Sequence, residues 1–214
     1  MARLSARKKA ILESMMRESL FSAAEKLVQE EGWKGATVER IAQEAGVSKG
    51  TVYNYFRDKR EILCSLLERN TEEVRLFVGS LDPEKGNPVD VLEDVLTKIL
   101  RNLYEKRKLI AATMQAYYED VDLRGNLEPP SNMQEKHPLW EIRVFIRKII
   151  ARGVEKKFFR PVDPVMAETA LNALIMGVAK QFAMDMLGFS GEVYMVTVRK
   201  LAVQGLCERN TSSQ

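Results

Sequence analysis

Seven residues between Ser48 and Tyr55 carry groups that could act together: Ser48, Lys49, Gly50, Thr51, Tyr53, Asn54 and Tyr55. They supply hydroxyls, an amide, two aromatic rings and one ammonium, and no acid falls between Ser48 and Arg57. Hydroxyl and amide groups donate to and accept from base edges. On one helix face such a set suits the major groove of a duplex. The N–H groups left free at the start of that helix suit a phosphate. Thr37 can serve the flanking backbone in the same way, and Lys59, just past the segment, can pair with a phosphate. The bland alternative is a helical hairpin whose outer face is merely solvated. Such faces usually carry many Glu and Lys side chains, and this one does not.

The elements that must position these groups are legible around them. Val38–Tyr55 (VERIAQEAGVSKGTVYNY) reads as two short helices joined by a tight turn. Ala42 is small where the helices approach, Gly46 sits where positive φ is cheap only without a Cβ, and Val52 faces the seam. Ile41, Ala45 and Val47 are expected to fill the rest of that core. This spacing is the packing signature of a helix-turn-helix. Thr37 and Ser48 are the expected N-caps, with Arg40 rather than Glu at the capping-box position after Thr37. The second helix is expected to run to about Phe56.

Composition agrees with a division of labour. The chain has 214 residues and a net charge of +3. Residues 1–60 hold 12 Lys and Arg against 8 Asp and Glu, so the whole positive excess lies in the first quarter. Such asymmetry points to a polyanion at one end. Met1–Phe21 has no uninterrupted apolar run for a signal peptide, and Ala170–Ala179 is too short to span a bilayer, so no membrane partner is expected. Cys64 and Cys207, far apart, fit a reducing cytoplasm. One histidine, His137, excludes a multi-His metal site within one chain, and Cys-x-x-Cys is absent. Val47–Thr51 lacks the spacing of a phosphate-binding loop. No acid–base or metal constellation appears, so neither an enzyme nor a cofactor is expected.

Helical spacing dominates the whole chain, and the expected class is all-α. Arg7–Glu31 places Ile11, Met15, Leu20, Ala24, Leu27 and Val28 on one face, ending at Gly32 and Gly35. A longer helix starts at Asp58, with Ile62, Leu63, Leu66, Leu67, Val74 and Phe77 apolar. Gly79–Pro88 is a turn-rich connector. Helices follow over Val89–Tyr104, Arg107–Tyr118 and Leu139–Lys156, with Pro138 at the start of the last and a polar loop over Asp122–Pro138. Asp163-Pro164 caps a helix expected to reach about Leu187, stopped by Gly188. Ser190 can cap a last helix to about Cys207. The β-branched Val193, Val196, Thr197 and Val198 make a strand its competitor, but they break a clean period of two. The expected domains are residues 1–57 and 58–214, with 58–78 as the connecting helix.

Met114, Tyr117, Tyr118, Trp140, Phe145 and Met176 are aromatic or thioether side chains suited to an adaptable pocket for a small apolar or amphipathic ligand. Ordinary core is the alternative reading. Ala170–Leu187 is apolar almost all round, which implies burial on several faces. A second copy is the natural cover, over Ala170, Ala173, Leu174, Gly177, Val178 and Gln181, with Val198 and Leu201 from the last helix.

TVERIAQEAGVSKGTVYNYFRDK resembles the N-terminal signature of TetR-family transcriptional regulators over about residues 10–65. The resemblance implies an N-terminal three-helix DNA-binding domain followed by a helical ligand-binding and dimerisation domain. It implies that Thr37, Ser48, Lys49, Thr51, Tyr53, Asn54, Tyr55 and Lys59 face DNA, although Tyr55 stands where relatives often have His. The spacing of Gly153, Phe159-Arg160 and Asp163-Pro164 also resembles the family's junction into its penultimate helix. The expected function is a cytoplasmic, homodimeric repressor on near-palindromic double-stranded operator DNA, released by a small molecule. The competing reading is a DNA-binding module controlled by a protein partner through the C-terminal helices.

Overall fold

The structure, a computed structural model, describes residues 2–119, 139–185, 188 and 190–207. His137, Met186 and Leu187 lie outside them, as does the polar loop with Pro138. Among the described residues the regular elements are all helices, so the class is all-α. They are α1 (Ala2–Gly35), α2 (Val38–Glu44), α3 (Lys49–Tyr53), α4 (Lys59–Gly79), α5 (Pro88–Glu105), α6 (Arg107–Glu119), α7 (Trp140–Glu155), α8 (Pro164–Ala183) and α9 (Gly191–Leu206). No described helix is long and apolar enough to cross a membrane.

The chain divides into two compact units, one with the chain up to Glu68 and the stretch from Ala111, the other with Arg69–Ile110 and the C-terminal helices. The division falls inside α4, whereas the expected boundary at 57/58 marks where α4 begins. The reason is burial: Ile62, Leu63 and Leu66 are buried near the start of α4, while Val74 and Val78 join the core of the second unit.

In the first unit α1 packs on α2 and α2 on α3. Leu20, Ala24, Leu27 and Val28 are buried as their helical spacing requires. Ile11 and Met15 are not: they are 51% and 64% exposed. Their periodicity is sound, but among the described residues this unit places no element over them. Gly32 interrupts α1 with φ 72° and ψ −175°, a conformation L side chains rarely adopt, so the expected helix end appears as a kink.

In the second unit α5 is central, packing on α7, α8 and α9. Asn87 and Asp163 cap α5 and α8 through side-chain oxygens, each ahead of a proline in the first turn. Glu168, 1% exposed, accepts from Arg143 Nε at 2.6 Å and Nη2 at 3.1 Å and from Arg147 Nε at 2.9 Å, joining α8 to α7. After α7 the chain reverses so that Phe159 packs over Gly153 and bridges to Cys207, while Arg160 N–H donates to Leu206 O at 2.8 Å.

Three expectations change. α3 stops at Tyr53 with Asn54 as C-cap, short of Phe56, because Phe56 turns inward to 2% exposure and meets Phe21 at 5.4 Å between ring centroids. α8 stops at Ala183, not about Leu187: Met184 is its C-cap, and Asp185 takes φ 49°. Ser190 precedes α9 but its side chain makes no capping bond. The last segment keeps the expected helix over 191–206 despite its β-branched residues, with Val198 and Val203 buried.

Candidate nucleic-acid interface

The site is assembled from two capped helices and the turn between them. Thr37 accepts from Arg40 N–H at 3.3 Å and so starts α2. Ser48 Oγ accepts from Thr51 N–H at 3.1 Å and starts α3. Between them Gly46 adopts φ +68°, and an added Cβ there would meet nothing within 4 Å. The glycine is therefore required by the backbone conformation and not by crowding. Gly46→Ala is expected to destabilise the chain by about 1 kcal/mol, read as a lowered denaturation midpoint with unchanged denaturant slope. Ile41, Ala42 and Val52 form the buried seam, at 1%, 3% and 1% exposure, with Ala45 and Val47 only half-buried at its edge.

The expected contact residues separate into two groups. Ser48, Lys49, Gly50, Tyr53 and Asn54 are exposed. Thr37, Thr51, Tyr55 and Lys59 are half-buried. The Ser48 and Thr51 hydroxyls also stand 2.9 Å apart and share a hydrogen bond, so each reaches DNA only with the capacity the cap leaves over. Lys59 departs most from expectation: its ammonium donates to Trp33 O and lies 3.9 Å from the Trp33 ring centroid. It ties the first turn of α4 to the end of α1, and only its remaining donor capacity can serve a phosphate.

Glu39 is not among the residues that the sequence pattern marks. It lies on α2, exposed, and its Oε1 accepts from Lys49 Nζ. Lys49 also lies 5.7 Å from the Tyr53 ring centroid. The hydrogen bond to Lys49 holds the Glu39 carboxyl below the usual carboxylate range, and the same bond raises the Lys49 ammonium. Both groups are therefore charged at neutral pH. The signal available in the sequence was an acid two residues beyond a helix cap, on the helix that supports α3.

The candidate ligand residues are shared between the two units. Met114, on α6, belongs to the first unit, whereas Trp140, Phe145 and Met176 belong to the second. Tyr117 and Tyr118 lie on α6. Phe145 is buried in the core cluster with Ile149 and Leu171. Met176 is 43% exposed and so is not an interior residue. Trp140 is half-buried with the Arg147 guanidinium 5.0 Å from its ring centroid. A cleft of about 460 Å³ is lined instead by residues such as Met166, Ala170, Leu171, Leu174 and Ala202.

The candidate dimer residues also divide. Ala170, Ala173, Leu174, Gly177 and Leu201 are exposed and Gln181 is half-buried. Val178 and Val198 are 1% and 7% exposed and pack with Leu100 and Phe182, so they are corrected to core of the second unit.

Residues 20–66 match the family described as bacterial regulatory proteins, tetR family. The chain is 30% identical over 106 residues to the HTH-type transcriptional regulator BetI of Escherichia coli, a match covering 50% of this chain and 53% of BetI. The chain thus spans about half the length of the curated relatives it matches. Among solved structures it is similar to NalD of Pseudomonas aeruginosa, the secondary repressor of the MexAB-OprM multidrug efflux pump. The TM-score is 0.71 at 22% identity, covering 92% of this chain and 98% of that one. It is also similar to the transcriptional regulator FadR of Bacillus subtilis, solved with stearoyl-CoA, with a TM-score of 0.68 at 21% identity over 88% and 98% of the two chains.

Proposed function

We propose, from the match of residues 20–66 to the tetR family of bacterial regulatory proteins, that this chain is a TetR-family regulator, a homodimeric transcriptional repressor that binds near-palindromic operator DNA and is released by a small molecule. One observation carries the DNA reading. Two side-chain-capped helices joined by a left-handed glycine present Ser48, Lys49, Gly50, Tyr53 and Asn54 outward with no acid on α3. In this reading α3 enters the major groove and its exposed residues read base edges. Two copies place their α3 helices about 34–36 Å apart on the two half-sites.

Dimerisation is supported by the outer face of α8 and α9, where Ala170, Ala173, Gly177 and Leu201 are exposed although small or apolar. Ligand control is supported by the length of α4, which starts in the unit that carries α3 and ends in the other. A small apolar or amphipathic effector would bias the spacing of the two α3 helices through it.

Selection of bound duplexes from a random pool, at stated salt, tests the reading; recovery of an inverted repeat is the expected result, and no enrichment sinks it. Thr51 and Asn54 substitutions are expected to change the recovered bases. Lys59→Ala is expected to weaken all sequences alike, to reduce the salt slope by about 1 per subunit, and to lower the melting temperature through loss of the Trp33 contact. A lowered melting temperature with an unchanged salt slope would assign Lys59 to the fold alone. Release from DNA by members of a panel that includes stearoyl-CoA, the molecule found with the FadR neighbour, tests effector control. A protein partner that releases DNA where no small molecule does would favour the competing reading.

A further inference from the structure

We propose that Glu39 is a built-in stand-in for DNA phosphate, which occupies the recognition-helix cation Lys49 in the free protein and makes indiscriminate binding pay for its release. This inference rests on the DNA-binding reading above. Lys49 is the single cation on α3, and it is exposed beside Tyr53. Its ammonium is already hydrogen-bonded to the Glu39 carboxylate from α2. The pair therefore presents a net charge of zero where the groove-facing helix would otherwise present one positive charge.

Two consequences follow from elementary electrostatics. An exposed ion pair is weak, so a well-placed phosphate or guanine edge can displace the carboxylate. A loosely held phosphate on unrelated DNA gains little over the carboxylate that Lys49 already has, and it also faces the repulsion of Glu39. Glu39 thus lowers affinity for unrelated sequences, and the ratio of operator to unrelated binding rises. The arrangement would be wasteful for a general DNA coat, and it suits a protein that must leave most of the chromosome unoccupied.

Glu39→Gln keeps the side-chain size and removes the charge. With the full chain and a short duplex of scrambled sequence, affinity is expected to rise about two- to fivefold per subunit. The slope of log affinity against log salt is expected to steepen by about 0.9 per subunit, because one more cation is free to displace counterions. The double variant Glu39→Gln/Lys49→Gln restores zero local charge and is expected to return to the wild-type slope. Both positions are exposed, and with Glu39 in the first turn of α2 the melting temperature should fall by only about 1–4 °C. An unchanged slope in Glu39→Gln overturns the role. A loss of operator affinity confined to one base position does so too, since it would make Glu39 a direct reader of a cytosine amino group. A double variant about 0.9 per subunit below wild type also overturns it, since Lys49 would then be contacting phosphate despite Glu39. Wild-type protein that binds no duplex at low salt overturns the DNA-binding reading itself and this inference with it.

Discussion

Gly177→Glu is expected to leave the protomer folded and to weaken binding to a palindromic operator by about 10²–10⁴-fold. Within the protomer an added Cβ at Gly177 meets nothing within 4 Å, so the substitution displaces no neighbour. Glycine in the interior of α8 also costs about 0.5–1 kcal/mol relative to a good helix former, so local stability should rise. The same position shares one side of α8 with Ala170, Ala173 and Leu174, the exposed small and apolar surface that we propose meets a second copy. A charged side chain there would hold the two copies apart and leave a buried carboxylate without a partner. Binding to one half-site should be unchanged, and the loss should fall on the coupling of two half-sites. Sedimentation or light scattering reads the oligomer, and titration of a half-site against the full palindrome reads the coupling. A Gly177→Glu protein that remains dimeric and binds the palindrome normally would remove this face from the interface.

Gly153→Ala is expected to destabilise the second unit by about 3 kcal/mol, at the upper end of ordinary overpacking. A Cβ at Gly153 would overlap the Phe159 ring, with Cγ at 2.9 Å and Cδ2 and Cε2 nearer still. Phe159 cannot yield easily. It is 1% exposed, its N–H donates to Gly153 O at 3.0 Å, and it bridges to Cys207 beyond the end of α9. At roughly 2–4 °C per kcal/mol for a chain of this size, the melting temperature should fall by about 6–12 °C. Phe159→Leu makes room for the added methyl. The double variant should therefore lose less stability than the two single losses summed, a coupling a double-mutant cycle measures. Additive losses would show that the ring and the glycine do not constrain one another.

The helix-turn-helix was legible because its determinants are local. Thr37 and Ser48 bond to N–H groups three residues away, and Gly46 is set by its own backbone angle. Such signals survive any tertiary arrangement. The spacing of Gly153 and Phe159 stood out only through the family resemblance, and the packing of the ring on the glycine came from the structure. Periodicity was a weaker guide. It marked Ile11 and Met15 as inward-facing although no described element of their unit covers them, and it could not separate the buried Val178 and Val198 from the exposed Gly177 and Leu201. A helix that is apolar all round has no preferred face until its neighbours arrive.

By itself, then, the sequence determined an all-α chain with a capped two-helix reading head at one end, because caps, turns and helical period are decided within a few residues. Only the tertiary structure decided which cations are occupied and which apolar residues remain outside. Lys59 meets Trp33 across 26 positions, Glu168 meets Arg143 across 25, and Lys49 meets Glu39 across 10. Those pairings depend on how separate helices approach one another, and an ammonium in a sequence carries no mark of the partner that packing will bring to it.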